Sequence, residues 1–267
     1  MPENKEKENL KRWGFKNRAA FEEFIEKTIA DLEFIAPRIF NLFKGKVTEW
    51  EKDFIKYKKE RFVAEAKIPI ESKPGSIIKG SSRIAQKIFD SWDEYDQWNA
   101  QPRDVRGKEP KKHDPRNFLN TMADVIRFRV ICNYLSDVDY IDGEIAGFAK
   151  KTNRLEIISK ENHIETPFPK RRAGHRAFQY TMKYYDTEFP VLFELQVMTQ
   201  LQHAWDKKDH HLIYEYVRIK KDKKIPVYLK NRMAAMSELL YVADEAFDSL
   251  RKEITKIMEK KRHEKKK

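Results

Sequence analysis

The stretch FELQVMTQLQHAWDKKDHHLIYE, Phe193 to Glu215, narrows the fold more than any other part of the chain. From Val191 to Thr199 the residues alternate, with Phe193, Leu195 and Val197 on one face and Glu194, Gln196 and Met198 on the other. A period of two marks a strand, so the acid faces away from the main apolar stripe. Thr199 or Gln200 then opens a helix. On it His203, Lys207, His210 and Tyr214 recur at spacings of four, three and four and form one stripe. Trp205 and Leu212 lie off that stripe and are expected in the core. A polar stripe alone is an ordinary solvated face, and an acid on a strand alone an ordinary surface residue.

The remaining elements follow from periodicity and punctuation. Arg18 to Phe43 has Phe21, Phe24, Ile25, Ile29, Leu32 and Ile35 at near-helical spacing, with an interruption expected around Pro37. A second helix is expected over Thr48 to Ala66. After the Lys73-Pro74-Gly75 turn, IKGSSRIAQKIFDSW reads as a loop leading into a helix, and QPRDVRGKEPKKHDPRN as a surface loop whose His113-Asp114 pair is incidental. MADVIRFRVICNYL is the best central strand, beginning directly after Asp124. Ile141 to Lys151 is expected as a helix and Leu155 to Ser159 as a strand. Phe178 to Tyr185 and Val191 to Thr199 make an antiparallel hairpin around DTEFP. From Pro226 onward Leu229, Met233, Met236, Leu239, Leu240, Ala243 and Phe247 give one more long amphipathic helix, suited to packing or self-association.

A chain of 267 residues buries a full core. The organisation expected is a helical region over 1–66, a core domain over 67–217, and a C-terminal helix with a basic tail over 218–267. No apolar run approaches the ~20 residues that span a bilayer, and the N-terminus lacks a signal-peptide stretch, so no membrane role and a cytoplasmic location are expected. Cys132 is the only cysteine and lies in an apolar run, which excludes an internal disulfide and a multi-cysteine zinc site. A net charge of +12 favours polyanionic partners such as nucleotides or RNA, although part of it sits in the ends.

Asp124 heads a buried strand, where a carboxylate needs a partner or a metal, and a hard carboxylate is what Mg²⁺ prefers. A cap or an ordinary salt bridge is the plainer alternative. Lys170, Arg171, Arg172 and Arg176 surround Gly174 just before a strand, a loop able to offset phosphate charge or to be simply a basic surface. Lys79 and Lys87 flank a helix start.

Four segments together resemble the RelA/SpoT nucleotidyl-pyrophosphate synthetase domain, in family order between about Ile77 and Tyr214. Glu194, Gln196, Thr199, His203, Ala204, Trp205, His210 and Tyr214 match its E-(I/L)-Q-(I/V)-x-T, H-A-W, His and Tyr pattern. DVIRFRVIC is similar to its D-(I/L)-x-G-x-R-(I/V) strand through Asp124 and Arg129, with Arg127 where the family has a small residue. PKRRAGHRAFQY resembles its G-Y-R-S-x-H acceptor loop. Gly174 and Arg176 are kept there, while His175, Ala177 and Gln179 replace Tyr, Ser and His. IKGSSRIAQKI resembles its donor segment through Lys79 and Lys87, with Ile77 and Arg83 in place of its Arg and Ser.

The resemblance implies an α+β fold, a mixed β-sheet flanked by helices with helical N- and C-terminal extensions, related to nucleotidyltransferases. It implies ATP as pyrophosphate donor and Mg²⁺ as cofactor, with Asp124 and Glu194 as catalytic and metal-binding acids. Lys79, Arg83, Lys87 and Arg129 would bind ATP; Gly174, His175, Arg176, Gln196 and His203 would bind the acceptor. That acceptor is expected to be a guanosine or adenosine nucleotide. The alternatives are the 3′ end of tRNA, as in toxic small alarmone synthetases, or no transfer at all in a nucleotide-binding sensor or toxin-pair subunit. An antitoxin protein and a second copy of the chain are further partners that this likeness brings into view.

Overall fold

The computed structural model describes residues 3–58, 77–165, 174–185, 189–209, 211–212 and 226–264. The helices are α1 (Glu3–Trp13), α2 (Arg18–Ile29), α3 (Leu32–Lys58), α4 (Ser81–Asn99), α5 (Leu135–Lys151), α6 (Gln200–Asp209) and α7 (Val227–Glu264). The strands are β1 (Arg127–Cys132), β2 (Leu155–Asn162), β3 (Phe178–Tyr184) and β4 (Val191–Thr199), in the sheet order β1-β4-β3-β2. Residues 185–190 link β3 to β4, a connection too short for a parallel crossover, so the two form the expected antiparallel hairpin. The architecture is the expected α+β.

Several boundaries differ from the sequence reading. The helical break falls at Ala30 and Asp31, and α3 runs through Pro37 and past Thr48. Tight turns from Glu33 N–H to Ala30 O and Phe34 N–H to Asp31 O start α3, and Pro37, its sixth residue, removes one bond of the ladder without ending the helix. β1 is an end strand of the described sheet, not a central one, and it starts at Arg127 after a 3₁₀ turn over Ala123–Val125. Its apolar run reflects burial of Phe128, Val130, Ile131 and Cys132 and needs no flanking strand on both sides. Helix α5 begins earlier than expected, at Leu135, where the Asp137 carboxylate accepts the Tyr134 N–H at 3.1 Å and caps the first turn. Leu212, expected in the core, is exposed, whereas Trp205 is buried as expected. Residues 59–66, the Lys73-Pro74-Gly75 turn, Lys170, Arg171, Arg172, residues 186–188, His210 and Tyr214 lie outside the described residues.

The chain divides into two compact units. The first comprises Met1–Asn41, Ile70–Arg127 and Thr181–Glu194. Its core is aromatic: Trp13 meets Phe21, Phe89 and Trp92 at ring distances of 5.5, 5.0 and 5.3 Å, with Ile25, Ile84 and Ile88 fully buried around them. Gly14 ends α1 at φ 80°, and a β-carbon there would lie 2.8 Å from Arg116, whose guanidinium caps the Trp13 carbonyl. Trp92 donates to the carbonyl of His113, anchoring an otherwise exposed loop on α4.

The second unit comprises Leu42–Pro69, Phe128–Tyr180 and Leu195–Lys267. Phe43 packs on Phe128 and Phe148, and Ile131, Ala177 and Met198 form a further cluster. Here α7 lies with its polar side inward. Ser237, Asp244, Asp248 and Arg251 are buried, while Met236, Leu239, Phe247, Leu250, Ile254 and Ile257 are exposed. Asp244 accepts from Thr199 Oγ1 at 2.6 Å, and Arg251 pairs with Asp137 at 2.5 Å. No helix among the described residues is long and apolar enough to cross a membrane.

Candidate functional site

A charged cluster in the first unit is built where the chain before α4 meets the approach to β1. Ile78 bridges Ile126, and the Lys79 N–H donates to the Val125 carbonyl at 2.8 Å, which lays Lys79 beside Asp124. Gly80 caps α4 and Lys87 follows on it. The ammonium groups of Lys79 and Lys87 both pair with Asp124 Oδ2, the latter at 2.7 Å. Burial alone would raise the Asp124 pKa, but the charges of Lys87 and Lys79 outweigh it and hold the carboxyl well below the usual carboxylate range. Oδ1 of the same carboxylate is buried without a hydrogen-bond partner among the described residues.

Glu194 enters the cluster from β4, its N–H bonded to the Ile126 carbonyl at 2.8 Å. Its carboxyl is buried, and burial raises its pKa against the opposing charge of Arg127. Two acids in one cluster are thus driven apart, Asp124 towards the ionised form and Glu194 towards the protonated one. Such a split lets one site hold a fixed anion beside a carboxyl that takes up a proton more readily than usual. Arg127 gained no role from the sequence; its signal was the departure from a small residue at that position. His113 also turns inward, and burial, then the charges of Lys87 and Lys111, push its pKa down to about 4. Asp114 instead caps the Arg116 N–H at 2.8 Å, so the two act separately. Arg83, on α4, is exposed.

The second unit holds the other expected residues, of which Arg129, Gln196, His203 and His175 join one hydrogen-bonded network through Asp206. Arg129 on β1 donates from Nε to Gln196 Oε1 at 2.9 Å, approaches His203 Nδ1 at 3.3 Å, and pairs with Asp206 Oδ2 at 2.5 Å. Asp206 Oδ1 lies 3.1 Å from His175 Nδ1. Gly174 has φ 105°, and a β-carbon there would meet Ser237 at 2.6 Å and Trp205 at 3.0 Å, so only glycine fits. Arg176 is buried, with its guanidinium bonded to the carbonyls of Ile164 and Glu165 and to Glu238. Asp206, the hub of this network, follows the H-A-W triplet and belonged to no motif. Its signal was the spacing of three from His203 on one helix face.

Among the described residues no group of three or more His, Cys, Asp or Glu is arranged to hold a metal. A magnesium ion asks for less, one or two carboxylates with phosphate oxygens and water completing its shell. The partnerless Oδ1 of Asp124, with Glu194 in the same unit, fits that requirement. As a whole the first cluster offers two cations for phosphate, one fixed anion and one proton-accepting acid.

Residues 101–219 match the family described as a region found in RelA / SpoT proteins. The chain is 24% identical over 151 residues to the GTP pyrophosphokinase YjbM of Bacillus subtilis (strain 168). That alignment covers 55% of this chain and 66% of the relative, just short of two thirds of its length. Two solved structures are also similar. A GTP pyrophosphokinase family protein from Streptococcus pneumoniae superposes with a TM-score of 0.55 at 18% identity, covering 83% of this chain and 92% of that one. Small alarmone synthetase 1 from Bacillus subtilis, bound to its product pppGpp, gives 0.56 at 18% identity, covering 86% and 97%. At such identities the likeness establishes a shared fold.

Proposed function

The chain carries a RelA/SpoT region over residues 101–219, and on that premise we propose that it moves the β,γ-pyrophosphate of ATP to the 3′-hydroxyl of a guanosine or adenosine nucleotide, releasing AMP. The observation that carries this reading is the split acid pair beside two lysines in the first unit. Lys79 and Lys87 bind the phosphates, where positioning and charge stabilisation supply most of the catalysis of phosphoryl chemistry. Glu194 accepts the proton of the attacking hydroxyl, the role that a raised carboxyl pKa suits. Asp124 and Glu194 would hold Mg²⁺, which supplies charge neutralisation on the transferred group when bound. Arg83 and Arg129 bind the nucleoside part of ATP, and Gly174, His175, Arg176, Gln196 and His203 form the acceptor side.

A second reading puts the 3′ end of tRNA in the acceptor position. It is favoured by the net charge of +12 and by the replacement of the acceptor-loop aromatic with His175. The assay that separates these uses ATP labelled at the γ-phosphate with GDP, GTP, ADP, ATP and deacylated tRNA as acceptors. Label on a mononucleotide supports the first reading and names the base; label on tRNA selects the second. Transfer to none of them would leave a silent nucleotide binder or a toxin-pair subunit held by an antitoxin.

A partner is proposed on separate grounds. Met233, Leu240, Phe247 and Ile254 alternate with Met236, Ala243, Leu250 and Ile257 along α7 in a heptad register. Phe247, Leu250 and Ile257 stand 54%, 53% and 54% exposed. A heptad seam is self-complementary, and two such stripes would cover roughly 1,200 Å² together, the lower range of stable interfaces. Its occupant is a second copy of α7.

A further inference from the structure

His175 and Asp206 are both buried, and Nδ1 of the ring faces a carboxylate oxygen at 3.1 Å. An ionised carboxylate only accepts, so the ring nitrogen facing it carries the proton. In the neutral ring Nε2 is then a lone pair. That nitrogen is buried and has no hydrogen-bond partner among the described residues. Polar atoms in protein interiors are almost always satisfied, and an exception asks for a group that arrives from elsewhere. The groups that hold the ring are themselves held. Asp206 is tied to Arg129, Arg129 to Gln196 and His203, and Gly174 before the ring is locked in a left-handed conformation against Ser237 and Trp205.

We propose that His175 Nε2 is a specificity-determining atom: it accepts a hydrogen bond from an amino or imino N–H on the edge of the acceptor's base. Asp206 is the positioning residue that keeps Nε2 in its lone-pair form. The proposal rests on the pyrophosphotransfer reading above and says how that reaction chooses its acceptor. A ring that merely stacked on a base would need no fixed tautomer and no carboxylate beside it. A base whose N–H edge is methylated or deleted leaves Nε2 buried and unsatisfied, which is the costly half of a broken hydrogen bond.

Two measurements test it on the full-length protein. Ring-¹⁵N histidine spectra, with His175→Phe to assign the signal, should show His175 protonated at Nδ1 and bare at Nε2. Asp206→Asn should mix the tautomers, because an amide can either accept from or donate to Nδ1. Calorimetric binding then compares GDP with IDP and 1-methyl-GDP, and ADP with N6,N6-dimethyl-ADP. Removing the donor that meets Nε2 should weaken binding to the wild type by roughly tenfold, the weight of one hydrogen bond. His175→Phe keeps a ring face but should bind each pair alike. A proton found on Nε2 in the free wild type overturns the proposal, as does a His175→Phe variant that discriminates as the wild type does. Intact base discrimination without any pyrophosphate transfer would sink the transfer reading and leave His175 as the reader of the base.

Discussion

Asp244 sits on the inward side of α7 and accepts from Thr199 Oγ1 at 2.6 Å and Gln202 Nε2 at 3.4 Å, yet burial raises its pKa to about 6. The folded protein therefore keeps this proton up to about pH 6, whereas the unfolded chain releases it near the usual aspartate value of 3.8. Between those limits the folded state binds more protons, so the contribution of Asp244 to stability is full at low pH and is lost as pH rises through 6. Asp244→Asn keeps an acceptor and removes the charge; its melting temperature should exceed the wild type's by ~2–4 °C at pH 8 and match it near pH 4. Equal melting curves at pH 8 would remove the buried charge from the account. Glu194 offers a sharper functional case. Because burial already favours its protonated form, Glu194→Gln should fold with little change in melting temperature. Pyrophosphate transfer should nevertheless fall by ~10²-fold or more, since a proton acceptor is gone. Retained turnover would take Glu194 out of the mechanism. At this scale the resemblance singled out Lys79, Lys87, Asp124, Glu194, Gln196 and His203, and the structure brings the first four into one cluster and the last two onto Arg129. Asp206 and Arg127 were not legible in sequence, because their partners come from other elements of the fold: Arg129 and His175 for the first, Glu194 for the second.

Along the elements, periodicity placed β3 and β4 nearly to the residue, ended β2 three residues early, and expected helices where α4 and α7 lie, while their neighbours stayed hidden. The apolar stripe of α7 was plain, but which side it would turn to the protein was not. Asp244, Asp248 and Arg251 are drawn inward by Thr199, Ser136 and Asp137, and those pairs exist only in the folded unit. β1 misled for the same reason, since a strand covered on both faces looks alike in sequence at the centre or the end of a sheet. The inverted α7 makes a direct prediction. Sedimentation velocity should find the wild type self-associated at micromolar concentration, and Phe247→Glu with Leu250→Glu should shift it to monomer without loss of helix signal. A wild type that sediments as a monomer up to ~100 μM would rule the seam out as a stable interface.

Over the whole molecule, 55 basic residues against 43 acidic ones give a field that draws polyanions of any sequence. If tRNA is the acceptor, its affinity should fall by ~10³-fold or more between 50 and 200 mM salt, as expected for several neutralised phosphates. A flat response in a filter-binding assay would leave mononucleotides as the acceptors. The division of the chain also bears on how the protein is made. The first unit is assembled from three separated segments, and the last of them, Thr181–Glu194, brings in one of its two acids. Helices α1, α2 and α4 leave the ribosome long before that strand, so the unit waits unfinished through much of synthesis, a contact order that slows folding. A nascent chain released before residue 194 has its lysines and Asp124 but no Glu194. Truncated products of this gene are therefore born without the proposed chemistry, and competence arrives only when the hairpin strand closes the unit.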